Sequence, residues 1–312
     1  MQVIHIIYND KSGYGQSQTY IQQLSRKFKE VEMTVHLYSI LNDLSQLAEK
    51  IQTNDDKNQS ILLIGGDGSL HHLLNYLYQQ ELTIPIAIIP TGTGNDFSKT
   101  WQKSFTLDRF ISKCMNGNLS YNEVPMVHWH NHQTNEDGVL INSMGIGLDA
   151  IVNYNAHQLV NKLPGKLYKI IKSLNLVYLI GLFASLNQIP RFEIELTTDQ
   201  EIYTLEEVSV ATLVNNPFFG GGIMIDNLTR PDSRRLSFIA FHHLTLLSVF
   251  ELLVKVLIFR NQHTCSKVQR FEADSMRIRT KQNLIGQMDG ESFQGKIDFS
   301  FTMQSHPFLL DK

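Results

Sequence analysis

Two apolar runs set the pattern of the first third of the chain. ILLI at 61–64 and IAII at 86–89 are unbroken, and each leads into a glycine-rich acidic turn, GGDGS and PTGTGND. Short continuous apolar runs bounded by turns mark parallel strands covered on both faces, whose carboxyl ends open on a ligand crevice. After the first turn Leu70, Leu73, Leu74 and Leu77 keep helical spacing. A helix should therefore start at GGDGS, with its first N–H groups toward an anion. The same alternation surrounds this pair. Val3 to Tyr8 reads as a strand ending in the turn NDKSGYG, and Ile21, Leu24 and Phe28 predict a helix over 17–29. MTVHLY at 33–38 is a strand, Leu44, Leu47 and Ile51 mark a helix, and another is expected over 105–116. Strands alternating with helices predict a parallel, doubly wound sheet.

The pattern changes near residue 121. YNEVPMVHW and GVLINSMGIG read as strands around a polar turn, and a helical region is expected over 149–187. FEIELTT, EVSVATLV, RLSFIAFH, SMRIRT, NLIGQMDGE and KIDFSFTM then follow as short β segments separated by turn residues. They suggest an antiparallel sandwich or barrel, with a domain boundary at about 121–125. One run stands apart. In LTLLSVFELLVKVLIF at 244–259 only Thr245, Ser248, Glu251 and Lys255 are polar, on one narrow helical stripe. This predicts a helix buried on most sides. The sharper alternative is an apolar surface that meets a membrane or acyl chains, and LNLVYLIGLF at 174–183 raises the same question.

Composition narrows the class. The chain has 312 residues, 42% hydrophobic and 18% charged, which suits two globular domains. A net charge of −3 gives no sign of general nucleic-acid affinity. Cys114 and Cys265 lie far apart without metal-ligand spacing and read as reduced thiols of a cytoplasmic protein. The start, MQVIHIIYNDKSG, lacks the features of a signal peptide, and no apolar run reaches the ~20 residues that span a bilayer.

The chemistry lies in the turns. Two glycine-rich turns about thirty residues apart, each with an aspartate, suggest one phosphate and metal site and hence an ATP-dependent kinase. Backbone N–H groups would cradle phosphates, and carboxylates acting through water would suffice for magnesium. Either aspartate alone is more simply a turn or N-cap residue; the pair, at successive strand ends, carries the reading. Asp289 and Glu291 flank Gly290. Two residues apart on a strand they point the same way, so one acid could face the metal while the other accepts a proton. DG is also an ordinary hairpin signal.

Other constellations are weaker. Met144 to Ala150 imitates a G-x-G-x-x-A dinucleotide fingerprint, but no acid follows some twenty residues on. NNPFFGGG at 215–222 reads equally as a close backbone approach or a plain loop. His128, His130 and His132 alternate as zinc ligands could, though solvated positions beside a turn are the simpler account, as for His242 and His243. No G-x-S-x-G elbow suggests a hydrolase.

The order N-x-K-S-G, GGDGS, P-x-GTGNDF and a late DGE resembles the soluble bacterial diacylglycerol kinase family, related to sphingosine and ceramide kinases. The resemblance implies an α/β N-terminal nucleotide-binding domain of NAD kinase and phosphofructokinase type over 1–123. A mainly-β, sandwich-like lipid-substrate domain follows over 124–312, with the extreme C-terminus able to pack back on the first. The active site is implied in the cleft between them. By the same resemblance Asn9, Asp10, Lys11, Ser12 and Gly13 form the first nucleotide loop, and Ser39 stands near the nucleotide. Gly65, Gly66, Asp67, Gly68, Ser69, Leu70 and His71 form the phosphate loop, and Thr93 is a nucleotide contact. Asp67, Asp96 and Asp289 are the acids expected to hold magnesium through water, and Glu291 the general base.

The implied activity is transfer of the γ-phosphate of ATP, with Mg2+, to the hydroxyl of diacylglycerol or a related lipid at the membrane surface. The implied partners are that lipid and ATP, with no nucleic acid, in a cytoplasmic protein associated peripherally with the membrane and open to homodimerisation. The sequence departs from the family at Asp10, where proline is preferred, and at His71 and His72, where Asn-Glu is preferred. IDNLTRPDSRRLSF keeps little of the family's structural-magnesium stretch, with Asp232 its remnant. The rival readings are a NAD kinase-like enzyme with a soluble acceptor and a catalytically weak nucleotide- or lipid-binding regulator.

Overall fold

The structure is a computed structural model. It describes residues 3–9, 20–21, 23–24, 34–53, 58–92, 94–101, 106–116, 120–160, 162, 177–219, 223–224, 226–230, 232–255 and 265–310. The chain divides into two compact units, Met1–Val124 with Ser305–Lys312, and Pro125–Gln304.

The first unit is built on strands β1 (Val3–Tyr8), β2 (Thr34–Ser39), β3 (Gln59–Gly65) and β4 (Ile86–Pro90), all parallel, in the order β2-β1-β3-β4. Ile61, Leu62, Leu63 and Ile64 are each fully buried, so β3 is covered on both faces, as its unbroken run requires. Each such side chain contributes about 1.5–3 kcal/mol of transfer free energy. Helices α1 (Leu44–Thr53), α2 (Asp67–Gln79), α3 (Asp96–Trp101) and α4 (Leu107–Met115) fill the connections. Leu70, Leu73, Leu74 and Leu77 of α2 are buried, as their spacing predicts. Thr106 caps α4 by accepting from Arg109 N. The helix expected over 17–29 falls largely outside the described residues, though Leu24 packs in the core with Ile4, Ile6 and Phe110.

The last strand, β15 (Glu291–Leu309), ends in this unit. Phe308 pairs in parallel with Ile86 and lies 4.8 Å, centroid to centroid, from Phe97. His306 is 4% exposed, and its Nε2 is 2.8 Å from the Ile84 carbonyl oxygen, to which it donates. Burial holds its imidazole below the ordinary range, against the opposing pull of that hydrogen bond. The unfolded chain takes up a proton as pH falls through about 6.5, while the folded chain resists. The stability from neutral His306 is therefore present above that value and lost as pH falls toward the folded pKa. Urea midpoints measured between about pH 8 and pH 5 should decline, and His306→Gln, which keeps an amide donor, should flatten part of the decline.

The second unit is mainly antiparallel. Its strands are β5 (Tyr121–Asn131, from Pro125 on), β6 (Glu136–Leu140), β7 (Ser143–Gly147), β8 (Phe192–Thr198), β9 (Ile202–Val214), β10 (Phe218–Phe219) and β11 (Ile223–Met224). They continue with β12 (Leu236–His242), β13 (Val268–Ala273), β14 (Ser275–Met288) and most of β15. The sequence pattern suggested a sandwich or barrel. The pairing runs β7-β9-β8-β14 and back to β7, a sheet closed on itself, which is the barrel of those two alternatives. Strand β9 carries β12 and then β13 outward. The long strands make this possible, because register shifts in the β8–β9 and β14–β15 ladders let them bend between layers. Phe238 and Ala240 of β12 face the core inside the circuit, while Ile239 and Phe241 face outward under the helices.

Those helices are α5 (Leu148–Val160), α6 (Val177–Ser185) and α7 (Leu246–Val254). Most of the interval between α5 and α6 lies outside the described residues, so the continuous helical region expected over 149–187 is seen as its two ends. Helix α7 corrects the expectation of a helix buried on most sides. Val249 and Leu252 are buried, but Leu246, Leu247 and Phe250 are exposed. The polar stripe has a local explanation. Thr245 and Ser248 form a reciprocal capping box, and Glu251 pairs with Lys255 at 2.9 Å.

Candidate active site

In the first unit the two glycine-rich turns meet. Strand β3 ends at Gly65, Gly66 precedes α2, and Thr91 N donates to the Gly65 carbonyl at 2.9 Å. Gly66 and Gly92 face each other so closely that a Cβ on either would lie 2.8 Å or 2.7 Å from the other's Cα. Only glycine fits at both positions, because the obstacle is backbone. The Asp67 carboxylate bridges the turns, accepting from Asp96 N at 2.9 Å and Phe97 N at 3.1 Å. It thus caps α3, satisfying N–H groups that the helix leaves unpaired. Asp67 and Asp96 are brought together as the sequence spacing proposed, with Asp67 also acting as the turn-fixing residue of the simpler reading. Asp96 is largely buried, 3.3 Å from Lys99 Nζ.

The hydrogen-bond ladder of α2 starts with Leu70 N donating to Gly66 O, so the N–H groups of residues 67–69 precede it. The space beside Gly68 is open. This is the backbone arrangement that receives phosphate oxygens. Asn9 Nδ2 donates to Ser69 Oγ at 2.9 Å, tying the end of β1 to the same helix start. Among the described residues, Ser39 Oγ and Asn95 Oδ1 are buried without a partner. Asn95, at φ 50, donates to the Gly92 carbonyl at 2.8 Å. His71 lies half-buried on α2 and holds Asn75 through its carbonyl oxygen at 2.9 Å, while His72 is exposed. Asp10, Lys11, Ser12, Gly13 and Thr93 lie outside the described residues.

Gly92→Ala should therefore separate the turns and disturb the Asp67 bridge. The expected result is a large loss of nucleotide affinity by calorimetry, with a smaller loss for Gly68→Ala, where a Cβ meets nothing.

In the second unit Asp289 and Gly290, at φ 48 and +96, form the two-residue hairpin loop between β14 and β15, with Met288 opposite Glu291. The positive φ at both positions is the type I′ pattern, for which Asp-Gly is favoured. It also overrides strand alternation. The Asp289 carboxylate folds back and accepts from Ile141 N and Asn142 N at 2.8 Å and Ser143 N at 3.1 Å. Glu291 stands exposed at the first position of β15. The sequence argument that the two acids share a direction is corrected here, since a turn residue in the left-handed region does not follow the pleat.

Four residues that sequence reasoning missed hold this hairpin. Gln287 Oε1 accepts from Gly290 N at 2.7 Å, and Gln287 Nε2 donates to the buried Asp149 carboxylate at 3.2 Å. Asn153 Nδ2 donates to the Gly290 carbonyl at 2.9 Å. Asn215 donates to the carbonyls of Pro125 and Ile141, fixing the segment that Asp289 grips. The signal was present for two of them. A Cβ on Gly145 would strike the Asp149 carboxylate, so the glycine of the rejected dinucleotide look-alike makes room for that acid. The first asparagine of NNPFFGGG is the clamp of a close backbone approach.

Asp232 lies exposed in a turn, and among the described residues no group of three His, Cys, Asp or Glu could hold a metal. The buried acid of that stretch is Asp226, 2% exposed. It accepts from Thr229 Oγ1 at 2.6 Å, Ser237 Oγ and Arg270 Nε at 2.8 Å, and Leu228 N at 2.9 Å. Burial alone would raise its pKa, but these hydrogen bonds outweigh it and hold the carboxyl below the usual range. His128 and His130 both approach Asp137 Oδ1, at 3.2 Å and 2.9 Å, which accounts for them as hairpin side chains.

Comparison with known proteins adds the decisive observation. The diacylglycerol kinase catalytic domain family matches residues 3–124, the segment that holds both glycine turns. Residues 3–124 thus match a diacylglycerol kinase catalytic domain, and the chain is similar to bacterial lipid kinases over most of its length. It is 28% identical over 267 residues to the "Putative lipid kinase YtlR" of Bacillus subtilis, covering 85% of this chain and 84% of that one. It is 22% identical over 292 residues to a "Putative lipid kinase" of Staphylococcus carnosus, covering 92% and 89%. Among solved structures, "A putative diacylglycerol kinase from Bacillus anthracis str. Sterne" superposes with a TM-score of 0.71 at 16% identity, covering 99% of this chain and 97% of that one. That likeness shows the fold of the chain over nearly its whole length.

Proposed function

We propose that this protein transfers the γ-phosphoryl group of ATP to the hydroxyl of diacylglycerol or a similar long-chain lipid. The observation that carries the reading is the contact of the two turns through Gly66 and Gly92, bridged by Asp67 beside the open start of α2. This arrangement suits a polyphosphate, because N–H groups and a helix N-terminus are held in place before the ligand arrives. The partnerless oxygens of Ser39 and Asn95 add two groups that a nucleotide could engage. Mg2+ when bound would neutralise phosphate charge, and Asp67 and Asp96 are the residues that would hold it, through water. Asn9 and Ser69 orient the helix start. Glu291 takes the proton of the acceptor hydroxyl, and Asp289 serves by fixing the hairpin that presents it.

One observation favours a second reading. The carboxylates of Asp67 and Asp289 already serve backbone N–H groups, which a non-catalytic nucleotide- or lipid-binding regulator would need equally. A single experiment separates the two. The protein is incubated with Mg-ATP and a mixed lipid extract, and products heavier by one phosphate are sought by mass spectrometry. A phosphorylated lipid supports the kinase. Calorimetric binding of Mg-ATP with no phosphorylated lipid supports the regulator, and phosphorylation of a soluble acceptor alone supports a NAD kinase-like enzyme.

A further inference from the structure

The hairpin that carries Glu291 is gripped from one face of helix α5. Asp149 and Asn153 stand at i and i+4 on that helix, and so share a side of it. Both reach toward the loop between β14 and β15, within the unit Pro125–Gln304. Asn153 Nδ2 donates to the Gly290 carbonyl at 2.9 Å. That oxygen belongs to the peptide plane joining Gly290 to Glu291, so the bond fixes the plane from which Glu291 departs. Asp149 acts one step further back. Its carboxylate accepts from Gln287 Nε2 at 3.2 Å, and Gln287 Oε1 accepts from Gly290 N at 2.7 Å.

Asp149 and Gln287 are each 2% exposed. A buried amide can face either way unless its neighbours decide, and here they do. An ionised carboxylate only accepts and a backbone N–H only donates, so Gln287 must turn its NH2 to Asp149 and its oxygen to Gly290. The start of α5 favours the ionised form, since Asp149 lies in its first turn. Room for the carboxylate is kept by Gly145, which pairs with Gln287 across the β7–β14 ladder. A Cβ there would strike Asp149 and come 2.9 Å from Gln287 Nε2. The mechanism proposed above uses neither side chain, yet both are buried directly behind the loop that presents its base.

We infer that Asp149 is a positioning residue for Glu291, acting through the amide of Gln287. This rests on the proposed role of Glu291 and adds what aims it. The test exchanges the two groups. Asp149→Asn offers Gln287 a donor as readily as an acceptor, which frees the amide to turn. Gln287→Glu sets two buried carboxylates against each other. In the double variant the amide at 149 donates to the carboxylate at 287, whose second oxygen still accepts from Gly290 N. Turnover of diacylglycerol in mixed micelles with Mg-ATP is measured, and exchange of the Gly290 amide hydrogen is followed by NMR. Each single variant should lose about 10- to 100-fold in kcat, with KM for ATP unchanged and Gly290 exchange faster. The double variant should regain most of both. Asn153→Ala should lower kcat in the same way with its unfolding midpoint in place, and it decides the matter with the double variant if a single one does not fold. Single variants with wild-type kcat overturn the inference, as does a double variant no better than the singles. A loss shared between kcat and KM for ATP also overturns it, because it marks general damage to the fold. If the wild type phosphorylates no lipid, the kinase reading fails by itself. Gly290 exchange that Asp149→Asn speeds and the double variant restores then still upholds the link from Asp149 to the hairpin.

Discussion

Glu291→Gln is expected to lower lipid phosphorylation by about 10²–10⁴-fold, the contribution of a positioned general base. The amide is isosteric and the side chain is exposed, so folding should be untouched. Mg-ATP affinity, measured by calorimetry, should also hold, because Glu291 is proposed to meet the acceptor hydroxyl and not the nucleotide. Full turnover of every accepted lipid by the variant would remove Glu291 from the mechanism. Asp289→Asn makes the informative contrast. Its carboxylate serves three backbone N–H groups of residues 141–143, so its loss should lower both stability and turnover. A loss of turnover with stability intact would instead argue that Asp289 acts in the chemistry.

The second large effect is on folding. Arg270→Ala removes the cation from buried Asp226, and the expected cost is about 3 kcal/mol, the low end for breaking a buried pair. Thr229, Ser237 and Leu228 N still serve the carboxylate, which keeps the cost from being higher. The folded pKa of Asp226 lies below its unfolded value. The stability it provides is therefore present above the ordinary carboxylate range of about 4 and is lost as pH falls through the folded pKa. Urea unfolding at neutral and acid pH checks both statements. The difference between wild type and Arg270→Ala should narrow as the carboxylate protonates, and Asp226→Asn in the Arg270→Ala background should recover part of the stability.

What could be read in advance follows from how local each cause is. The parallel strands were legible because burial on both faces demands unbroken apolar runs, as in residues 61–64 and 86–89. Helix α2 was legible because one buried face demands leucines at 70, 73, 74 and 77. The hairpin at Asp289-Gly290 was legible because few residue pairs tolerate two successive positive φ angles. Family order then singled out the residues for a proposed site. Helix α7 was misjudged because apolar periodicity tells how greasy a helix is, and only its neighbours tell which sides they cover.

By itself, then, the sequence determined the strand–helix alternation and the two glycine turns, since each depends on residues within a few positions of one another. The tertiary structure alone decided that Gly66 and Gly92 touch, that Asp289 faces the backbone of 141–143, that Asp226 is matched by Arg270, and that Leu247 faces water. Those outcomes hinge on partners 26 to 148 positions away. A side chain's hydrogen bonds and exposure are set by whatever the fold brings beside it, which no local pattern records.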